Sequence, residues 1–178
     1  MISLYSNHLK PAENKMVREY ARFVLNRMVR RGIQNKSIVN IKILSEAEVK
    51  DEADKYDLRA FKAWCTYDGV DEKGRKKFSI VLNKKRMNKR AKRPISALKN
   101  VLVDLGHELV HVKQYLNNEI FDYANGDVRH KGIKFDSSYL LDEEKYYDSP
   151  WEIEAFGREW GLYKMFCNHL RMKAKLVK

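Results

Sequence analysis

The stretch LGHELVHVKQY, residues 105–115, contains two histidines four positions apart, with a glutamate directly after the first. On a helix, residues four positions apart lie on one face, so His107 and His111 can direct both imidazoles at one ion. Glu108 then lies about 100° around the helix from His107. The pattern indicates a metal site with an acid–base group beside it. The competing interpretation is a chance match in an ordinary helix surface.

The apolar residues around the motif indicate how this helix packs. We predict a helix from about Ser96, a suitable N-cap, to Leu116 or Asn117. One face is expected to pack in the core while the opposite face carries the histidines. The residues predicted to face away from the histidines are Leu98, Leu102, Leu105, Leu109, Val112 and Leu116.

A catalytic zinc site needs a third protein ligand, and Glu152 is the first candidate. It is predicted to lie on the apolar face of a C-terminal helix that opens at Ser149. Burying a carboxylate there is costly unless a cation receives it. Alternatively, Glu152 forms a capping box with Ser149. The other residues predicted for that face are Ala155, Phe156, Tyr163, Phe166, Cys167 and Leu170.

Other polar residues near these motifs have alternative interpretations. His130, in RHKGIKF, is the rival third ligand, although a histidine in an exposed loop needs no such role. We expect Glu154 to face solvent and to pair with Arg158. Glu159 is expected to support a ligand or to pair with a lysine. Asp104 is expected either to orient an imidazole or to lie at the surface.

The remaining sequence predicts an α+β fold in one domain spanning residues 1–178. A first helix follows Pro11 and stops near Gly32, and weak helical character extends from Ser45 to Lys55. We expect a small, mostly antiparallel, three-stranded sheet, with the histidine-bearing helix packed beneath it and the C-terminal helix bringing Glu152. The predicted strands are SIVNIKIL (37–44), AFKAWCTYDG (60–69) and KKFSIVLNKK (76–85), and the last two form a hairpin.

The composition favours anionic partners. The 178 residues carry 36 basic and 24 acidic side chains, a formal net charge of +12. Such a charge attracts nucleic acid or acidic protein surfaces. The basic run Lys84–Arg93 is therefore a candidate phosphate-binding segment, with solvated surface as the alternative. Further candidates near the C-terminus are Arg171, Lys173, Lys175 and Lys178.

The cysteine content and the hydropathy indicate a compartment. Only Cys65 and Cys167 are present, which excludes a disulfide framework and a four-cysteine zinc site. The N-terminus lacks the apolar core of a signal peptide, and no run of about 18 apolar residues occurs. We therefore expect a cytoplasmic protein with no membrane partner.

The segments LGHELVHVKQY and YDSPWEIEAFGREWGL together resemble zincin metallopeptidases, in particular compact gluzincin-like and SprT-like proteins of phages and bacteria. In gluzincins of the HtpX type and in the ImmA/IrrE group, the third ligand is a glutamate followed three residues later by alanine. That pattern matches Glu152 and Ala155. Those families usually have aspartate or asparagine next, where this chain has Phe156. SprT-like proteases use a third histidine in a glycine-containing loop, which RHKGIKF matches only in part.

The resemblance implies a Zn²⁺-dependent peptidase acting on a protein or peptide. His107, His111 and Glu152 would bind zinc, and Glu108 would be the general base. Tyr146 or Tyr147 would stabilise the oxyanion, unless they only pack. A substrate strand would add to an edge strand formed by FSIVLNKK or AWCTYDG. The alternatives are a SprT-like protease associated with DNA, a nucleic-acid-binding protein with a structural zinc site, and a regulatory peptidase.

Overall fold

A computed structural model describes residues 1–55 and 63–176 of the chain. The described strands are β1 (Ile2–Tyr5), β2 (Ser37–Leu44), β3 (Ala63–Val70), β4 (Lys76–Asn83), β5 (Ile120–Asp122), β6 (Val128–His130) and β7 (Ile133–Phe135). The helices are α1 (Pro11–Met28), α2 (Arg31–Gln34), α3 (Glu46–Lys55), α4 (Pro94–Ala97), α5 (Lys99–Leu116), α6 (Ser138–Leu141), α7 (Glu143–Asp148) and α8 (Pro150–Leu176). A short 3-10 helix spans Lys84–Arg86. The chain is therefore α+β, as predicted.

The main sheet differs from the expected one in size and direction. It has four strands in the order β1-β2-β4-β3, and only the β3–β4 pair is antiparallel. The prediction of a mostly antiparallel, three-stranded sheet was therefore wrong. Helix α1 connects β1 to β2 as a crossover, which makes these neighbours parallel. The hairpin then inserts β4 between β2 and β3, so FSIVLNKK is an interior strand and cannot be the edge strand.

Local strand predictions were more accurate. Strand β2 has the predicted bounds, with its alternate residues Val39, Ile41 and Ile43 buried. The hairpin is present as β3 and β4, while the predicted strand residues 60–62 lie outside the described residues. Helix α1 ends at Met28, before the expected stop at Gly32, because the next residue has extended backbone. Gly32 belongs instead to the short helix α2.

Helix α5 lies between the main sheet and α8. It begins at Lys99, later than the expected Ser96, because Leu98 has a non-helical ψ of 1° that separates it from α4. Because α5 lies between the main sheet and α8, both of its faces are buried, and Glu108 is 6% exposed. No described helix is both long and apolar enough to cross a membrane. The predicted core-facing residues are all buried, namely Leu98, Leu102, Leu105, Leu109, Val112 and Leu116.

The two faces of the main sheet contribute to different clusters. One face packs against α1 and α5 in the principal core, through residues such as Ile41 and Ile80. The other face packs against α3, where Val49 meets Trp64 and Val81. The histidine-bearing helix is thus held by the sheet on one side and by α8 on the other, which fixes its orientation.

The polar segment 118–148 contains structure that its sequence does not indicate. Strands β5, β6 and β7 form a separate antiparallel sheet, followed by α6 and α7. Ile120 and Val128 of this sheet pack on Trp151 at the start of α8. Strands of three residues are too short to display a period of two, so hydrophobic periodicity could not reveal them.

Candidate metal centre

The structure brings together the three side chains predicted as metal ligands, here called the metal-site triad: His107, His111 and Glu152. The Nε2 atoms of the two imidazoles lie 3.2 Å apart. The Glu152 carboxylate lies 3.1 Å from Nε2 of His107 and 3.3 Å from Nε2 of His111. The three side chains are 10%, 12% and 3% exposed, respectively. Together they could hold a metal ion.

Two helices position the triad. The histidines occupy one face of α5 because they are four residues apart, and Glu152 lies in the first turn of α8. Gly106 allows α5 to approach its neighbours, since a Cβ there would lie 2.5 Å from the Tyr20 hydroxyl oxygen and 3.5 Å from the Glu159 carbonyl oxygen. The glycine beside the motif is therefore a packing requirement that the sequence analysis did not identify.

Each imidazole is also held from the side opposite the triad centre. Nδ1 of His107 lies 3.2 Å from a Glu159 carboxylate oxygen, and Nδ1 of His111 lies 3.0 Å from the Gln114 side-chain oxygen. The Gln114 amide is fully buried and donates to the Trp151 carbonyl at 3.0 Å. When each Nδ1 carries the proton and donates a hydrogen bond in these contacts, each Nε2 keeps a free lone pair, which is the form that binds a metal.

The contact of Glu159 with a ligand histidine was one of two predicted alternatives for that residue, whereas the contact of Gln114 with His111 was not predicted. The only sequence signal for Gln114 is its position three residues after His111, one turn along the same helix. Asp104, by contrast, contacts neither imidazole. Its carboxylate accepts hydrogen bonds from the Arg86 guanidinium at 2.9 and 3.1 Å, so the alternative that Asp104 orients an imidazole was wrong.

The protonation preferences show that the triad attracts positive charge. Burial lowers the pKa of His107, but its contacts with Glu152 and Glu159 outweigh this and raise the pKa to about 10. The pKa of His111 is also raised, because the contact with Glu152 exceeds the effect of burial. Burial raises the pKa of Glu152, yet the two imidazoles lower it to about 2. A cation bound between these groups would supply the charge that protons otherwise provide.

Glu108 has the properties of an acid–base group. It is buried beside the histidines, and burial raises its pKa to about 7, although the charges of His107 and His111 act in the opposite direction. A carboxyl group with this pKa exchanges protons near neutral pH, as a general base requires.

Aromatic residues line the exposed rim of the triad. The Phe156 ring centroid lies 4.5 Å from that of His107, and Phe156 is 43% exposed. The expectation that Phe156 is buried was wrong, because it follows Ala155 by one position and is turned about 100° away from the face that α8 buries. Tyr147 is exposed, and its ring centroid lies 5.7 Å from that of Phe156. The Tyr146 hydroxyl donates to Glu152, and burial raises the pKa of this tyrosine.

His130 and Glu154 belong to a second group, here called the lysine cluster: Lys113, Glu119, His130 and Glu154. His130 is 5% exposed on β6 and lies with the two glutamates, so the expectation of an exposed loop histidine was wrong. The Glu154 side chain is 12% exposed and pairs with Lys113 at 2.7 Å, contrary to its predicted solvent exposure. Its predicted pair with Arg158 is present at 2.9 Å. The small sheet packs on Trp151 of α8, and Lys131, which directly follows β6, lies 3.5 Å from the Glu154 carboxylate.

No protein-family model matches this chain, and neither a curated protein nor a solved structure matches it. The resemblance to zincins therefore depends on the motif residues and stays a prediction. Any function has to be inferred from the chemistry of the side chains that the fold brings together.

Proposed function

We propose that the chain is a zinc-dependent metallopeptidase in which the metal-site triad binds the ion and Glu108 is the general base. The observation that carries the proposal is the spacing of the triad atoms, 3.1 to 3.3 Å. Zinc binds nitrogen and oxygen ligands at about 2.0–2.1 Å, and ligands at that distance in a tetrahedron are about 3.3 Å apart. The triad therefore fits zinc with little movement of its side chains.

The type and number of donors favour a catalytic site over a structural one. Structural zinc sites use four protein ligands, commonly including cysteine, whereas catalytic sites use three and keep one position open. Among the described residues, the group around the two histidines contains three ligand side chains. Zinc bound there would polarise a carbonyl group and lower the pKa of a water molecule.

Glu108 would accept the proton of the attacking water and return it to the leaving amine. Burial raises the pKa of Glu108 to about 7, which favours return of the proton, and the charge of a bound zinc ion would lower that pKa and favour its acceptance. Tyr146 donates to Glu152, so we assign it the orientation of that carboxylate. Tyr147 contacts Phe156 on the exposed rim, which supports a packing role there.

The sheet topology supports a peptide as the substrate. Strand β3 is at the edge of the main sheet, and α5 packs against it. An extended peptide can add to such an edge through main-chain hydrogen bonds. Of the two predicted edge strands, AWCTYDG remains the candidate, and a peptide on it would run past the helix that carries the histidines.

The proposal is tested by comparing Glu108→Gln with the zinc-loaded wild type on an unfolded protein substrate. We expect the variant to keep one zinc ion and to lose peptide hydrolysis at least about 100-fold, because general-base catalysis contributes about that much or more. Glu46→Gln is the matched control, since Glu46 is exposed and pairs only with Lys85 among the described residues. Full hydrolysis by Glu108→Gln, or no hydrolysis by zinc-loaded wild type, would overturn the proposal.

A further inference from the structure

A groove of about 430 Å³ lies between α1 and α8, away from the metal-site triad. His169, which lines it, is about 25 Å along α8 from Glu152, at about 1.5 Å of rise per residue. The groove therefore has no part in the proposed hydrolysis, and its side chains call for a separate explanation.

Basic side chains outnumber acidic ones in the groove. Arg22, Arg27 and Lys173 line it and are exposed, whereas Glu19 is the one acidic side chain among its described lining residues. None of the three basic groups forms an ion pair with another described residue. Their charges are therefore available to an anionic ligand.

Aromatic rings lie beside these charges. The Phe23 and His169 ring centroids are 5.2 Å apart, with 36° between the ring planes. The Arg27 guanidinium carbon lies 5.2 Å from the Phe23 centroid. His169 is exposed, so it presents a flat surface next to the cations. Cations beside accessible rings suit a ligand that carries both phosphate and a planar base.

The positive charge continues beyond the groove along α1. Lys15 and Arg18 precede Arg22 on one exposed stripe of that helix. A basic stripe of this length matches a polymer with regularly spaced phosphates better than it matches a single nucleotide.

The basic run Lys84–Arg93, which the sequence indicated first, has seven basic side chains, and two of them are in ion pairs with described residues. Lys85 pairs with Glu46 at 2.7 Å, and Arg86 pairs with Asp104. Neutralised cations contribute little to phosphate binding. The groove is the better candidate because Arg27 lies over the Phe23 ring and the exposed His169 ring lies beside Phe23. Among the described residues, the basic run has no such ring contact.

We propose that the groove between α1 and α8 binds single-stranded nucleic acid. Arg22, Arg27 and Lys173 contact successive phosphates, and a base stacks on the His169 ring. Stacking on an open ring requires an unpaired base, so a single strand binds more tightly than a duplex. The interaction requires no metal and no peptidase activity.

The test measures fluorescence anisotropy of a labelled oligothymidylate of about 12 nucleotides, within the site size of single-strand-binding proteins. The full-length protein is titrated at several salt concentrations. We expect the double variant Arg22→Ala, Arg27→Ala to bind at least about tenfold more weakly at low salt. The slope of log affinity against log salt should fall by about 1.4, since each single-strand phosphate contact contributes about 0.7. We expect His169→Ala to bind at least about fivefold more weakly.

The matched control is the double variant Lys89→Ala, Arg90→Ala, which removes equal charge from exposed positions of the basic run. We expect it to bind within about twofold of wild type. An equal loss of affinity in both double variants would overturn the groove assignment, as would undetectable binding at low salt. A duplex of the same length, or polyglutamate, that competes as well as the single strand would overturn the assigned ligand class.

Discussion

The metal-site triad and the lysine cluster contain the same kinds of side chain but differ in the source of positive charge. In the lysine cluster, the Lys113 ammonium lies 2.5 Å from Glu119 and 2.7 Å from Glu154. In the triad, the Glu152 carboxylate meets only imidazoles and the Tyr146 hydroxyl among the described residues. A buried carboxylate needs a compensating cation. Lys113 already provides this cation in the lysine cluster, whereas the metal-site triad leaves that role to protons or to a metal ion.

The largest expected difference between the two groups is in zinc affinity. His111→Ala removes one of three proposed ligands, so we expect zinc affinity to fall at least about 100-fold, more than the loss of a supporting residue causes. His130→Ala is the control, because it removes a buried histidine from the lysine cluster, and it should bind zinc as wild type does. Competition with a chromophoric chelator measures both affinities. Loss of zinc from His130→Ala, with retention in His111→Ala, would reverse the assignment of the two groups.

Lys113→Met tests whether the lysine substitutes for a metal ion. The variant leaves Glu119 and Glu154 without their closest cation, so we expect the free energy of unfolding to fall by about 3 kcal/mol. Added zinc should restore part of the lost free energy of unfolding, because the ion can bind between Glu119, His130 and Glu154. Urea denaturation with and without zinc measures both effects, with Lys89→Met as an exposed control. Unchanged stability would show that Lys113 is not the compensating charge.

Gly106→Ala tests the close packing that forms the triad without touching the lysine cluster. The new Cβ would lie 2.5 Å from the Tyr20 hydroxyl oxygen, so we expect a loss of about 1–3 kcal/mol in unfolding free energy. Adding Tyr20→Phe should restore stability, because the next contacts are 3.5 and 3.6 Å away. The Tyr20 hydroxyl is buried with no hydrogen-bond partner among the described residues, so its removal costs little.

Gly161→Ala is the matched control for this substitution, since a Cβ there meets nothing within 4 Å. We expect it to keep or raise stability, because alanine favours a helix over glycine. A Gly106→Ala protein as stable as wild type, or one that Tyr20→Phe fails to rescue, would contradict the packing explanation. Thermal denaturation of the wild type and of these three variants provides the comparison.

A third histidine–carboxylate pair, His8 and Glu48, extends the comparison to the surface and has the smallest expected effect. The Ser45 hydroxyl, followed by His8, lowers the pKa of Glu48 from 4.5 to about 2. The folded pKa lies below the unfolded one, so the stabilisation is present above pH 4.5 and is lost as the pH falls towards 2. Wild type should therefore lose more stability on acidification than Glu48→Gln, as measured by urea unfolding. Equal losses of stability in the two proteins would show that the His8–Glu48 pair contributes nothing to the free energy of unfolding.

Local patterns in the sequence predicted much of this arrangement. Helical spacing placed His107 and His111 on one face, and the cost of burying a carboxylate identified Glu152 as an inward-facing residue. Alternation predicted β2 and the hairpin. These features depend on residues within one element, where a period of 2 or 3.6 is visible.

The features that were missed depend on contacts between distant segments. The parallel pairing of β1 with β2 and the contact of Tyr20 with Gly106 join segments that the sequence keeps far apart. The burial of His130 and Glu154 depends on a small sheet whose strands are too short to recognise. Periodicity reports which side of an element faces inward, but it does not report which partner covers it.

The most direct test of the central claim is the zinc K-edge X-ray absorption spectrum of the zinc-loaded protein, recorded beside that of Glu152→Ala. For wild type we expect one zinc ion with two imidazole nitrogens and a carboxylate oxygen at about 2.0–2.1 Å. The variant should lose the carboxylate contribution and bind zinc more weakly. A sulfur neighbour at about 2.3 Å, a site without imidazole, or a variant spectrum identical to wild type would contradict the assignment of His107, His111 and Glu152.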